Sequence, residues 1–238
     1  MTTWRTAAIK HALEDAPREA CGLLVVIKGR ERYWRCANLA PTPEDFFVLC
    51  PDDYAKAEEA GEVVAVIHSH PKSSPDPSDA DRVACHKSGL RWYIVNPGTK
   101  AWAELEPRDY KQPLIGRQWV WGISDCWTLV RDWYQETWGL NLPDWERPLD
   151  MFGFNSDPMF DRCWQEAGFV EVPLASMQVG DALLLSLDGS PGLNHVAVYV
   201  GDQQILHHLR GRLSSRDVFG GYYLKQTGRV LRHRSRCQ

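Results

Sequence analysis

The chain has 238 residues, a formal net charge of −4 and 44% hydrophobic residues, which favours one large or two small globular domains. This charge gives no bulk attraction to nucleic acid, and no apolar run approaches the roughly 20 residues of a membrane span. We therefore predict no nucleic-acid partner and no membrane span. No signal-peptide pattern follows Met1, so we expect synthesis in the cytosol. Seven cysteines without a spacing pattern fit a reducing compartment.

The first half of the chain predicts a mixed sheet with helices on its faces. Helical spacing and capping residues predict helices at residues 3–15, 51–60 and 79–87. Apolar runs bounded by turn residues predict strands at residues 21–27, 32–37, 46–49, 63–67, 92–96 and 101–105.

Two histidines follow the predicted strand 63–67 directly. His68 and His70 are two residues apart, so on an extended chain their side chains point to the same face. Asp81 follows a loop rich in proline and serine and lies in the first turns of a helix that Ser78 can cap. Two neutral imidazoles and one carboxylate, with a fourth position left for water, are how catalytic zinc is held. The stretch predicts such a metal site; for the His-x-His pair alone, two structural histidines are the alternative.

The spacing His-x-His-Pro-x6-Ser-x2-Asp, from His68 to Asp81, resembles the JAMM (MPN+) metallopeptidases. The resemblance covers residues 1–106 and implies that His68, His70 and Asp81 bind Zn²⁺. It also implies that Glu19 handles the proton of the water and that Ser78 donates a hydrogen bond to the oxyanion. The metal could be another divalent ion, because the motif does not fix its identity.

The pattern of elements starts afresh after a polar segment with two prolines, residues 107–113, which we predict to be a linker. The predicted domains are therefore residues 1–106 and 114–238. In the second domain we predict helices at 126–138 and 159–167, and strands at 182–187, 195–200 and 204–208. A tight turn is predicted at Gly201-Asp202. We predict a basic, irregular ending that is a solvated end or a docking tail and carries Arg229, Arg232, Arg234 and Arg236.

Cys126 opens the first helix of this second domain, which Ser124 or Asp125 can cap. A helix N-terminus lowers the pKa of a thiol, so the position predicts a thiolate nucleophile. His195 opens one strand and His207 closes the next, and we expect them to face each other across the hairpin. That placement suits a general base and the group that orients it. An inert cysteine at a helix start is the alternative.

The order Asp125-Cys126, Gly180-Asp181, His195 and His207 resembles the NlpC-type cysteine peptidases over about residues 113–215. The resemblance implies a papain-like domain in which the helix bearing the cysteine packs on an antiparallel sheet, and hence an α+β fold class in two domains. Two departures stand out. Trp127-Thr128 follow the cysteine where bacterial cell-wall members have Ser-Gly, and Trp119 lies near their oxyanion tyrosine. We therefore expect a different substrate groove.

A JAMM-like domain followed by an NlpC-type domain resembles the tail-tip assembly proteins of lambda-like, long-tailed phages. The resemblance implies other tail-tip proteins as partners, synthesis in the host cytoplasm, and a place in the virion tail tip or a tail-assembly intermediate. Three hypotheses stay open: a hydrolase with a zinc site and a thiol site that cleaves peptidoglycan stem peptides or cross-links during entry, an assembly protease that processes a tail protein in the host cytosol, and a structural tail-tip plug with vestigial sites. A cytosolic deubiquitinase-like enzyme is a weaker fourth hypothesis.

Overall fold

A computed structural model describes residues 3–148 and 159–237 of the chain. The chain divides into two compact units, Met1–Lys111 and Gln112–Gln238. Within the described residues, the first unit carries a five-stranded mixed sheet with helices and the second a six-stranded antiparallel sheet with helices. The predicted α+β fold class in two domains is confirmed. Over these ranges no helix is both long enough and apolar enough to cross a membrane, and the cysteines form no disulfide bond.

The first unit is a sheet covered by helices on both faces. Its elements are α1 (Trp4–Asp15), β1 (Cys21–Ile27), β2 (Arg30–Cys36), α2 (Pro51–Ala60), β3 (Glu62–Ser69), α3 (Asp79–Ser88), β4 (Arg91–Val95) and β5 (Trp102–Leu105). The strands have the order β2-β1-β3-β4-β5; β3 and β4 are parallel, and the other neighbours are antiparallel. Ile67 of β3 packs with Ala8 of α1 on one face, whereas Val66 packs with Ala57 of α2 and Cys85 of α3 on the other. His68, two residues after Val66, therefore lies on the face that α3 covers.

The strand predicted at residues 46–49 is wrong. Only an isolated bridge joins Asn38 to Leu49 there. The side chain of Asn38 takes the place of a strand partner, because its Oδ1 accepts from the backbone N–H of Val48 at 3.0 Å. Its Nδ2 donates to the carbonyl oxygens of Glu19 at 2.9 Å and Phe46 at 3.2 Å. One half-buried amide thus satisfies backbone groups that a ladder would otherwise pair.

The second unit packs one long helix on an antiparallel sheet. Its elements are α4 (Cys126–Trp138), α5 (Met159–Glu166), β6 (Phe169–Glu171), β7 (Ala182–Leu185), β8 (His195–Gly201), β9 (Gln204–His207), β10 (Ser215–Val218), α6 (Gly221–Gln226) and β11 (Thr227–His233), with short 3₁₀ turns at Leu174–Ser176 and Arg234–Arg236. The strands have the order β10-β9-β8-β7-β11-β6. Leu129, Val130 and Tyr134 of α4 are fully buried and form one core with Val196 and Val198 of β8.

The predicted irregular ending of the chain is also wrong. It forms β10, α6 and β11, and β11 lies between β7 and β6. Arg229 pairs with Glu171 at 2.6 Å, and Arg232 pairs with the buried Asp181 at 2.8 Å. The sequence pattern did not indicate β11 because its arginines interrupt it and only Val230 and Leu231 are apolar and buried there.

The turn between β8 and β9 lies one residue later than predicted. Gly201 pairs with Gln204, and the two residues between them, Asp202 and Gln203, have φ angles of 49° and 54°. Both central residues of the turn are therefore left-handed, as a two-residue hairpin of type I′ requires.

Candidate active sites

The first site forms where β3 ends and α3 begins. Nε2 of His68 lies 3.1 Å from Nε2 of His70 and 3.2 Å from Oδ1 of Asp81. Nε2 of His70 lies 3.5 Å from Oδ2 of Asp81. All three residues are buried, so the structure brings the predicted metal ligands to one point.

These separations fit ligands around one metal ion. Zinc–nitrogen bonds of 2.0–2.1 Å in a tetrahedron place neighbouring ligand atoms about 3.4 Å apart. The three separations, 3.1, 3.2 and 3.5 Å, match one triangular face of such a tetrahedron. Nδ1 of His70 lies 3.0 Å from the carbonyl oxygen of Ser74, which can accept its N–H and leave Nε2 free to ligate. The residues therefore fit a zinc ion with one position open.

The protonation states of His68 and Asp81 also suit a metal. Burial lowers the pKa of His68, which favours the neutral imidazole. Burial opposes ionisation of Asp81, yet the imidazoles of His68 and His70 and the hydroxyl of Ser78 hold its pKa well below the usual range. A neutral imidazole and an ionised carboxylate are the forms that bind a cation.

Glu19, predicted to handle the water proton, is buried just before β1. Burial raises its pKa to about 8, and the charges of His70 and Asp81 act on it with opposite signs. The carboxyl therefore lies within electrostatic reach of the ligand cluster and holds its proton at neutral pH before any metal binds. Its role in proton transfer remains a prediction.

Ser78 makes the predicted helix cap and, in addition, a contact with the carboxylate of Asp81. Its hydroxyl donates to Oδ2 of Asp81 at 2.7 Å and accepts from the backbone N–H of Asp81 at 3.1 Å. It thus caps α3 and orients a candidate ligand. Because a hydroxyl has one hydrogen, an oxyanion could receive it only after Asp81 releases it, and that role stays a prediction.

The second site is built around Cys126, the first residue of α4. The side chain of its N-cap, Asp125, accepts from the backbone N–H of Thr128 at 3.0 Å and from Nε of Arg147 at 2.9 Å. The expected low pKa of the thiol is wrong: burial, and then the charge of Asp125, raise the pKa of Cys126 to about 12. The carboxylate of Asp125 already occupies the positive end of the helix, and Arg147 is paired with it.

His195 and His207 meet as a pair, but not directly across the hairpin. The register places Ala197 opposite His207, so His195 is the diagonal neighbour on the same face. Nε2 of His195 lies 3.2 Å from Nδ1 of His207. Burial and the neighbouring His207 lower the pKa of His195 well below its ordinary value. His195 is therefore neutral, which is the form of a general base.

Cys126 and His195 line one pocket of about 480 Å³ together with Trp119, Trp121 and Asn194. The rings of Trp119 and Trp121 stack with centroids 5.8 Å apart and form an aromatic wall. Among the described residues, no hydrogen bond links the thiol to His195. Such contacts often tighten only when substrate binds. The pocket thus joins a thiol, a neutral imidazole and a wall for substrate, which are the components of acyl transfer.

Two further residues belong to this site and were not predicted from the sequence. Asp217 of β10 lies 3.1 Å from Nε2 of His207 through its Oδ2, and no sequence signal indicated it because β10 itself was not predicted. His208 is fully buried and lines the pocket of Cys126. Burial lowers the pKa of His208 to about 4, so a second neutral imidazole borders the pocket.

Two family models match the chain, one over the unit with the five-stranded sheet and one over the unit with the six-stranded sheet. Residues 2–106 match the family described as prokaryotic homologs of the JAB domain. Residues 116–232 match the NlpC/P60 family. These matches agree with the resemblances drawn from the two motifs.

Three curated relatives extend this picture. Tail tip assembly protein K of Escherichia phage N15 is 36% identical over 230 residues, which cover 96% of this chain and 93% of the relative. Tail tip assembly protein K of Escherichia phage lambda is 36% identical over 187 residues, covering 79% of this chain and 90% of the relative. The desampylase of Haloferax volcanii is 30% identical over 105 residues, covering 39% of this chain and 76% of the relative.

Proposed function

The chain belongs to the family of phage tail tip assembly protein K, and from this premise we propose that both of its domains cleave peptide bonds at the tail tip. The NlpC/P60 domain would cut a stem peptide of peptidoglycan, and the JAB-like domain a branched peptide linkage. The observation that carries the proposal is the pocket that Cys126 and His195 line together, where Nε2 of His195 lies 3.2 Å from Nδ1 of His207.

At the thiol site we propose ordinary acyl transfer. Nδ1 of His195 accepts the proton of Cys126 while Sγ attacks the scissile carbonyl carbon. His195 then gives this proton to the leaving amine as the C–N bond breaks. Water, deprotonated by His195, attacks the thioester, and the thiol leaves with the returned proton. In the resembling peptidases the bond is a γ-D-glutamyl–diamino-acid amide, which we adopt as the first substrate to test.

At the other site, His68, His70 and Asp81 would hold zinc. Bound zinc would supply a Lewis acid and lower the pKa of a water molecule toward about 7. Glu19 would accept and return the proton, and Ser78 would orient Asp81. Murein cross-links are branched peptides, so we propose them as the substrate class of this domain.

Other tail-tip proteins are the proposed partners. The proposed location is the virion tail tip or a tail-assembly intermediate, after synthesis in the host cytoplasm.

Digestion of purified peptidoglycan tests the proposal. Wild type, Cys126→Ala and His68→Ala would be compared with zinc present and thiols reduced, and released fragments identified by mass spectrometry. Cys237→Ala and His86→Ala are matched controls, because Cys237 is exposed and the side chain of His86 is 47% exposed on the same helix as Asp81.

We expect wild type and both controls to release stem-peptide fragments. Each site variant should lose its own class of product, which then assigns a bond to each site. No release by wild type would overturn peptidoglycan as the substrate. An uncut tail protein in phage carrying Cys126→Ala would then favour assembly processing. If phages carrying either site variant infect normally, the remaining hypothesis is a structural tail-tip plug with vestigial sites.

A further inference from the structure

The polar contacts that connect His195 to His207 continue from His207 to Asp217. Three adjacent strands, β8, β9 and β10, contribute one polar side chain each. Nε2 of His195 lies 3.2 Å from Nδ1 of His207, and Nε2 of His207 lies 3.1 Å from Oδ2 of Asp217. The second separation is that of a hydrogen bond, although the alignment of the ring N–H falls short of one.

The carboxylate of Asp217 is held as an anion. Its Oδ2 accepts from the hydroxyl of Tyr223 at 2.9 Å, and its Oδ1 accepts from the hydroxyl of Ser215 at 3.1 Å. Arg212 approaches Oδ2 at 3.4 Å. Although burial opposes ionisation, the contacts from Tyr223 and His207 lower the pKa of Asp217. An ionised carboxylate only accepts hydrogen bonds.

Because the carboxylate of Asp217 can only accept, it determines which ring nitrogen of His207, and then of His195, carries the hydrogen. Facing an acceptor, Nε2 of a neutral His207 carries the hydrogen, so its Nδ1 has a lone pair. Nε2 of His195 must then carry its hydrogen toward that lone pair. The remaining nitrogen, Nδ1 of His195, is left as an acceptor, which is the form that can take a thiol proton.

We propose that Asp217 is a positioning residue that fixes the tautomers of His207 and His195, so that Nδ1 of His195 is free to accept the proton of Cys126. The inference rests on the proposed thiol peptidase. The negative charge of Asp217 also stabilises, through His207, the imidazolium that forms at His195 when the thiol ionises.

A simple surface ion pair does not account for this arrangement. Nε2 of His207 is buried from solvent, so water cannot replace Asp217 as its partner. The side chain of Arg212 is 54% exposed, and its 3.4 Å contact is the longest that the carboxylate makes among the pairs described above. His207 and Arg212 contact the same oxygen, Oδ2 of Asp217, and the histidine contact is the shorter, 3.1 Å against 3.4 Å.

Nitrogen-15 NMR of the full chain labelled at histidine reads the tautomers directly. His195→Gln and His207→Gln variants assign the two rings. In wild type we expect hydrogen on Nε2 of both histidines. In Asp217→Asn the amide can donate to Nε2 of His207, and the hydrogen should move to Nδ1 of His207 and then to Nδ1 of His195.

The thiol gives a second readout, the rate at which iodoacetamide alkylates Cys126 at pH 8, followed on its tryptic peptide by mass spectrometry. We expect Asp217→Asn to slow this rate about 100-fold, a typical contribution of a general base. Asp217→Glu should restore part of the rate because it keeps a carboxylate. Arg212→Ala is the matched control, since it removes another contact of the same oxygen and should leave tautomers and rate within about twofold.

Unchanged tautomers in Asp217→Asn, or an equal loss in Arg212→Ala, would overturn the inference. Neither readout needs a substrate. If wild type cuts no peptidoglycan and the tautomers still respond to Asp217, the proposed substrate fails and the positioning role stands. If wild type cuts and the tautomers do not respond, only the positioning role fails.

Discussion

Nε2 of His195 lies 3.2 Å from Nδ1 of His207 although the two residues are not opposite each other in the sheet. The partner of His207 across the ladder is Ala197, and His195 reaches it diagonally on the same face. Residues 195 and 197 lie on one face because side chains alternate along a strand. His195 and His207 therefore still meet, although the turn lies one residue later than predicted. The geometry of the pair thus depends on the sheet and not on the turn.

The helices α3 and α4 each begin with a capping box that includes or borders a candidate site residue. In α3, the N3 residue of the box is Asp81, a candidate ligand, and its N-cap is Ser78. In α4, the box joins Asp125 to Thr128 around Cys126. Reciprocal side-chain and backbone hydrogen bonds fix the first turn of a helix, so each site has a reactive side chain on a turn that cannot fray freely.

Removal of one ligand should abolish zinc binding. We expect wild type to bind one zinc per chain and His68→Ala to bind none, because His68, His70 and Asp81 supply the three donor atoms. At 100 times its dissociation constant, zinc should stabilise the folded wild type by about 2.7 kcal/mol. Metal analysis after dialysis and thermal unfolding with and without zinc measure both effects. His86→Ala should match wild type, and equal zinc content in His68→Ala would contradict the assignment.

The thiol of Cys126 should ionise little at neutral pH in the absence of substrate. A pKa raised to about 12 by burial means that the thiolate fraction is small at pH 7 and grows about tenfold per pH unit up to that pKa. In His195→Gln, where no imidazole takes the thiol proton, we expect the alkylation rate of Cys126 to rise with that slope from pH 7 to 9. A cysteine peptide of ordinary pKa, about 8.5, should begin to level off in this range. A wild-type rate independent of pH below 7 would reveal a thiolate–imidazolium pair instead.

The features that were predictable from sequence depend on local chain geometry. His68 and His70 share a face because strands alternate, and Asp81 follows from the helix cap at Ser78. Cys126 is placed by the same type of cap, and its helix ends at Gly139, whose φ of 67° is left-handed. In each case, residues within about one turn of one another determine the outcome.

The features that were missed depend on distant pairing or on burial. Asp217 reaches His207 only because β10 pairs with β9, and its sequence Ser-Arg-Asp-Val has no strand pattern. Arg232 is compatible with a central strand only because Asp181, 51 residues earlier in the chain, neutralises it. The pKa of Cys126 follows from its burial beside Asp125, which a position at a helix start does not reveal.

Loss of the Arg147 guanidinium should destabilise the second domain strongly. Arg147 and Asp125 form an ion pair whose side chains are only 4% and 1% exposed. Removing one partner from such a pair leaves a buried charge and costs about 3–5 kcal/mol. Urea unfolding of Arg147→Ala, followed by tryptophan fluorescence, measures the change. Arg229→Ala is the control, because its pairs with Asp161 and Glu171 are more exposed and each contributes about 0–1 kcal/mol. Equal losses in both variants would refute the distinction.

A methyl group at Gly180 should cost more than backbone strain alone. Gly180 has φ +88°, and a Cβ there would overlap the indole of Trp138. Gly211 has φ +73° with nothing within 4 Å of the added atom, so Gly211→Ala isolates the left-handed penalty of about 1–2 kcal/mol. We expect Gly180→Ala to lose a further 1–3 kcal/mol, roughly the cost of overpacking a core, because Trp138 packs edge-on against Trp133 and Tyr134 and has little room to move. Urea unfolding of the two variants gives the difference directly, and equal losses would mean that Trp138 yields without cost.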